Sequence, residues 1–200
     1  MERKPAKPRR ERLGVPTKDA GDWEEAALDA IASGGLRALS IPALAAALGV
    51  TKGSFYWHFP GLESLLARAL ERWQAADRAA IETLERVADP AARLQAAFRE
   101  AMSLERAQAL FITLAAEEAE PLVADMLRKL SRRRIRFLAD AYEALGLDAA
   151  AAKQRAVLAY TAYLGTIQMR RQATDGLRTH AEVEAHLAHA VATLIPKRKR

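Results

Sequence analysis

Chemistry in this 200-residue chain concentrates in Lys52-Gly53-Ser54-Phe55-Tyr56-Trp57-His58-Phe59. Phe55 and Phe59 are spaced to share one face of a helix, and an inward-facing pair leaves Lys52, Gly53, Ser54, Trp57 and His58 outside with Tyr56 at the edge. Trp, Tyr and His exposed together on one short helix are costly unless something covers them. A DNA major groove accepts such a helix, whose N-terminal residues reach base edges. Small residues such as Gly53 and Ser54 permit close approach, and the free N–H groups at a helix start can donate to phosphate. The competing reading is that Tyr56, Trp57 and His58 pack on the next helix, and Tyr56 could do both.

The residues before this segment supply what is needed to hold it. Ser40 is a helix N-cap, and Pro42 is tolerated in a first turn that has no use for its missing donor. Ile41, Leu44, Ala45 and Leu48 then recur at the spacing of a buried face. Gly49 can close that helix in the left-handed conformation, and Val50, ahead of the cap Thr51, can staple onto Phe55. Two short helices joined by a tight turn, near 41–48 and 52–58, follow a first one near 22–33, a compact trio of the helix-turn-helix kind.

Residues 23–66 resemble the headpiece of the TetR family of transcriptional regulators. The resemblance is carried by Trp23, Ala26-Ala27-Leu28, Gly35, Ser40-Ile41, Leu44-Ala45, Gly49-Val50-Thr51, Lys52 through Phe59, and Leu65-Leu66. It implies a homodimer that binds operator DNA, usually a repressor, whose C-terminal helical domain senses a small molecule. It also implies that Thr51, Lys52, Gly53, Ser54, Tyr56, Trp57 and His58 meet DNA while Ser40 touches phosphate from the preceding helix. One departure stands out: Gly61 and Leu62 occupy the positions where the family usually places a polar cap and a lysine.

Outside that motif the chain reads as all-α. Strand-like alternation is absent, Ala and Leu recur at helical spacing, and Gly and Pro breakers divide the sequence into about nine helices. The helix near 62–87 carries Leu62, Leu65, Leu66, Ala69, Leu70 and Trp73 in one stripe and is the expected connector; the rest fall near 91–103, 105–118, 121–145, 148–172 and 181–195. The expected organisation is a basic flexible arm over 1–18, a helix-turn-helix domain over 19–61, a ligand-binding and dimerisation domain over 62–196 and a basic tail over 197–200.

Family topology would arrange Trp73, Phe98, Met102, Phe111, Met126, Phe137 and Tyr142 around an effector cavity, although core packing explains such bulky groups equally well. Arg134 is the single charge on the stripe Val123, Leu127, Leu130, Leu138, Ala141, Leu145. It could pair with Glu118, reach outward, or clamp an anionic effector. The neighbouring Arg128, Lys129, Arg132, Arg133 and Arg136 read as a solvated face. Val157, Tyr160, Leu164 and Ile167, with Val183, Leu187, Val191 and Leu194, are the expected dimer interface, two helices per subunit.

Charge and composition narrow the partners. The net charge is +6, yet Arg3, Lys4, Lys7, Arg9, Arg10, Arg12 and Lys18, with Lys197 to Arg200 at the other end, supply more than that, so the intervening body is slightly acidic. Residues 19–60 hold only Arg37 and Lys52 against Asp19, Asp22, Glu24, Glu25 and Asp29, a poor balance for a DNA-binding face. The basic arm is expected to compensate by neutralising phosphates, plausibly in a minor groove. No cysteine means no disulfide and no thiolate chemistry. The sequence shows no Gly-rich phosphate loop, no nucleophile elbow, and no metal constellation beyond His186 and His189 with His180 and Glu182 nearby, which read as surface groups. The expectations are therefore no enzyme, no cofactor, no metal, no membrane span and a cytoplasmic location. A helical adaptor that binds proteins is the rival from another class.

Overall fold

The computed structural model of the chain describes residues 18–117, 119–173 and 175–196, and all regular structure among them is helical. The expectations for the arm's residues 1–17, for Glu118 and for the tail 197–200 lie outside the described residues. Helix α1 (Ala20–Gly34) begins two residues ahead of the expected start, because Asp19 and Asp22 form a reciprocal capping box, each carboxylate accepting from the other's N–H at 2.9 Å. After a 3-10 turn at Leu36–Ala38 comes α2 (Ile41–Leu48), started by Ser40, whose Oγ accepts from Ala43 N–H at 3.3 Å. Gly49 closes it at φ 68°, where its N–H reaches the carbonyls of Ala45 and Ala46.

Helix α3 (Lys52–Phe55) is shorter than the span 52–58 expected of it. Tyr56, Trp57 and His58 continue as a turn, held because the N–H groups of His58 and Phe59 both donate to Phe55 O, at 2.9 and 3.0 Å. The body follows as α4 (Leu62–Glu85), α5 (Pro90–Ser103), α6 (Glu105–Ala115), α7 (Pro121–Ala144), α8 (Ala149–Arg171) and α9 (His180–Leu194). Polar caps at Asp89, Asp148 and Thr179 start α5, α8 and α9.

Packing joins the headpiece to the body. One buried cluster runs from Trp23, Ile31, Leu44, Phe55 and Phe59 through Leu65, Leu70 and Trp73 on α4 to Leu114, Leu130 and Ile167. A second cluster, Leu94, Ala141, Tyr142, Ala152, Ala156, Ala159, Leu194 and Ile195, closes the far end of the bundle. The Trp23 and Phe55 rings meet edge to face at 5.3 Å, which fixes α3 on α1.

Three of the acids that looked unfavourable for DNA, Glu24, Glu25 and Asp29, face the body instead, while Asp19 and Asp22 are taken up in the cap of α1. Glu24, 4% exposed, accepts from Arg68 Nε at 3.3 Å and from Arg72 Nη1 at 3.4 Å. Glu25 accepts from Arg72 and, at 2.7 Å, from Arg106, which also meets Asp29 at 2.7 Å. Burial would raise the Glu25 carboxyl, but the hydrogen bonds from Arg72 and Arg106 outweigh it and hold the group below the ordinary glutamate range. The acidic excess of residues 19–60 is thus matched largely by arginines of α4 and α6.

Candidate nucleic-acid interface and ligand cavity

The helix-turn-helix presents the front anticipated from its spacing. Phe55 and Phe59 are buried, whereas Trp57 is 88% and Tyr56 62% exposed. Thr51, Lys52, Gly53 and His58 are exposed beside them, and Ser54 and Ser40 are half-buried. Tyr56 leans edge-on against Phe55 with ring centroids 5.3 Å apart, which orients a ring whose bulk still faces solvent. Thr51 takes the extended backbone of an N-cap, but its hydroxyl makes no capping bond, so that oxygen and the first N–H groups of α3 stay available to an outside acceptor.

Gly53 has no structural reason to be glycine. Its backbone is not left-handed, and a Cβ built there would meet only Thr51 Oγ1, at 3.7 Å. An alanine is therefore expected to leave thermal stability unchanged or slightly raised, since glycine inside a helix costs about 0.5–1 kcal/mol relative to alanine. The added methyl would stand between α3 and a docked duplex, and affinity for operator DNA is expected to fall about tenfold, roughly 1.4 kcal/mol. Melting curves paired with fluorescence anisotropy separate the two effects, and equal affinity for both proteins would remove Gly53 from the interface.

In the body a cavity of about 110 Å³ lies between α4, α5, α6, α7 and α8. Of the residues anticipated around it, Phe98, Arg134 and Phe137 line it, and Met102 lines a small adjoining hollow shared with Phe98. The others are core. Trp73, Phe111 and Met126 belong to the buried cluster that joins headpiece to body, and Tyr142, fully buried, belongs to the far one. Burial pushes the Tyr142 phenol up to about 12, and its hydroxyl has no partner among the described residues. Large apolar residues on a bundle helix fill whichever side is inward, so size alone did not separate wall from core.

The polar side of the cavity was largely missed. Arg134 has a partner that was not anticipated: its Nε donates to Asp77 Oδ1 at 2.8 Å, and Arg133, expected in solvent, donates to Asp77 Oδ2 at 3.1 Å. Arg134 also lies 6.0 Å above the Phe111 ring. Asp77, Tyr160 and Tyr163 complete the lining on that side, with Ile81, Leu84 and Leu138 among the apolar walls. The signal available in sequence was Asp77 at four residues after Trp73, an acid set into an apolar stripe of α4 much as Arg134 is set into that of α7.

Most of the expected dimer contacts also lie inside the protomer. Tyr160, Ile167, Val183, Leu187 and Leu194 are buried, and Leu164 and Val191 are half-buried. Of the expected contacts only Val157, 37% exposed, faces outward on α8, together with Gly165 and with Leu158, Thr161 and Met169, which were not anticipated. His186 is half-buried rather than a surface group, and its Nε2 shares a hydrogen bond of 2.9 Å with Thr166 Oγ1. Among the described residues no group of three His, Cys, Asp or Glu could hold a metal ion, and no helix is long and apolar enough to cross a membrane.

Residues 25–69 match the family model of the bacterial regulatory proteins of the tetR family. No curated protein matches the sequence. Solved structures of TetR-type regulators share the fold across most of the chain. One from Legionella pneumophila has a TM-score of 0.76 at 16% identity, covering 93% of this chain and 100% of its own. A regulator from Saccharomonospora viridis in complex with choline has a TM-score of 0.76 at 20% identity over 90% of this chain and 98% of that one. A TetR-family regulator from Agrobacterium tumefaciens has a TM-score of 0.71 at 19% identity over 85% and 96%.

Proposed function

We infer that this chain, which carries the TetR-family DNA-binding headpiece over residues 25–69 on the fold of that family's solved regulators, is a repressor that a small molecule releases from a palindromic operator. The coarser part of the reading, a DNA-binding transcriptional regulator of the TetR type rather than an enzyme, rests on the family match over residues 25–69. The observation that carries the finer reading is the exposed front of Tyr56 and Trp57 on a hydrophobic back of Phe55 and Phe59. In this reading Lys52 and the free end of α3 engage phosphate while Gly53, Ser54, Tyr56, Trp57 and His58 enter the groove. The setting is the cytoplasm, where operator DNA is accessible.

A palindrome needs a paired reader, and the outer face of α8 supports one. Leu158, 58% exposed, Thr161, Gly165 and Met169, 41% exposed, follow one another at helical i, i+3 and i+4 steps, with Val157 beside them. An apolar stripe left bare on a monomer favours an isologous contact with a second copy. Ala181, Ala185, Ala188 and Ala192 form an exposed small-residue ridge on α9 that would let two further helices approach closely.

Footprinting the purified protein on DNA upstream of its own gene tests the operator reading: a protected inverted repeat with half-sites about 34 Å apart is expected. Leu158→Glu tests the pairing. The side chain is exposed in the protomer, so the variant is expected to keep its melting temperature, sediment as a monomer, and lose protection of the repeat. A variant that remains dimeric would move the interface elsewhere.

The cavity is the site where the releasing molecule is expected to act. A related fold solved with choline is a precedent for a small ligand held by such a bundle.

A further inference from the structure

On the side of the cavity formed by α4, α7 and α8, basic charge exceeds acidic. Asp77, whose side chain is 7% exposed, has both oxygens engaged, by Arg134 Nε at 2.8 Å and by Arg133 Nη1 at 3.1 Å. One carboxylate between two guanidiniums leaves one positive charge over. That charge faces the cavity through Arg134, which lines it, whereas Arg133 does not. Arg134 is bound to Asp77 through Nε, and the rest of its planar fork stands within hydrogen-bonding reach of the Tyr160 and Tyr163 hydroxyls. Both rings line the cavity beside it, and the Tyr160 hydroxyl is 3.0 Å from Ser131 Oγ. Burial pushes both phenols above the ordinary tyrosine range, and that rise is opposed by Ser131 and Arg134 at Tyr160 and by Arg134 at Tyr163.

We propose that the cavity takes a small carboxylate, an acid on a single aromatic ring or short branched chain, with its anionic head on the outer edge of Arg134 and its apolar part between Phe98 and Phe137. A guanidinium fork and a carboxylate match in plane and charge, and Tyr160 and Tyr163 supply hydroxyl donors to the same oxygens. Glu100, the other carboxylate on the lining, repels an anionic head from the α5 wall and thereby orients the ligand toward α7 and α8. Size sets an upper bound: the cavity holds about 110 Å³, below the roughly 150 Å³ that takes benzene, so the ligand is no larger than a single ring and the walls must give slightly to seat one. A cation would face the opposite field. It would meet the Arg134 guanidinium and would have to take Asp77 from two arginines, which leaves Glu100 on the α5 wall and the aromatic rings to hold it.

The assignment rests on the cavity being the effector site, and the test separates the two. Benzoate, benzyl alcohol and benzylamine have nearly the same shape and differ in charge; each, with choline, is titrated calorimetrically into the full chain. Benzoate is expected to bind at least about tenfold more tightly than the other three, and Arg134→Gln to bring it down to the level of benzyl alcohol. Tyr163→Phe, which keeps the ring in place should Arg134→Gln fail to fold, is expected to weaken benzoate about threefold to tenfold. Tighter binding of benzylamine or choline overturns the anionic class and leaves the cavity as the effector site. Binding of none of the four to a protein that still shifts operator DNA overturns both. Benzoate affinity indifferent to both substitutions overturns the placement on Arg134.

Discussion

Trp57→Ala is expected to lower operator affinity about tenfold to a hundredfold while leaving the melting temperature nearly unmoved. The asymmetry follows from where the ring stands. At 88% exposure Trp57 contributes little to the folded protomer, and a surface substitution away from caps and networks usually shifts stability by no more than about 0.5 kcal/mol. On DNA the same indole is expected to cover its apolar area and bring an N–H to the groove, and a single well-placed contact is worth about 1–3 kcal/mol. Tyr56→Ala is a harder experiment to read, because its ring also meets Phe55 edge-on, an arrangement worth about 0.5–1.5 kcal/mol to the fold. The two together are expected to cost about a hundredfold or more. Anisotropy titrations at fixed salt, with melting curves alongside, supply the comparison. Full affinity in Trp57→Ala would mean that the exposed front is not the reading surface.

The headpiece was legible because its signals are local. The Ser40 cap, the left-handed Gly49 and the Phe55–Phe59 spacing each act within one or two helical turns, and each is found in place. Even there the number of residues in regular α-helix was overestimated, since a turn over 56–58 holds the same face as a helix would. The body was legible in its helix count and not in its faces. Apolar residues are distributed all around α8, because one side packs on α7 and the other is bare, so periodicity offered no reason to prefer Leu158 and Met169 over Tyr160 and Ile167. The Asp77–Arg134 pair joins helices 57 residues apart in sequence. What sequence can show is that each stripe contains one stray charge of opposite sign; that the two meet is settled by the packing of α4 on α7. Glu24, Glu25 and Asp29 teach the same lesson from the other side: counted in a sum they argued against DNA, and placed in space they turn toward arginines of the body.

Arg106→Gln is expected to uncouple ligand from operator, so that the ratio of DNA affinities without and with effector collapses toward one. Arg106 sits on α6 between Leu104 and Ala107, both of which line the cavity, and its own guanidinium reaches across to Glu25 and Asp29 on α1. A shift of the α6 wall on ligand entry is therefore passed to α1, and through the Trp23–Phe55 contact to α3, by groups already in van der Waals or ionic contact. Allosteric coupling in proteins is commonly about 1–3 kcal/mol, or about fivefold to 150-fold in affinity, and that whole ratio is what the substitution puts at stake. Stability should change much less. The guanidinium is close to half exposed, pairs of that kind are worth about 0–1 kcal/mol, and the glutamine keeps a donor near Glu25. Acid should act in the same direction. Because the Glu25 carboxyl is held below its ordinary value of 4.5, its contribution is fully present above that pH and is lost as pH falls through the lower folded value. Operator affinity measured with and without a bound ligand, for the parent chain and for Arg106→Gln, decides the matter. If the ratio survives intact while both proteins remain folded, coupling runs through the apolar cluster from Trp73 to Leu130 and not through this ionic bridge.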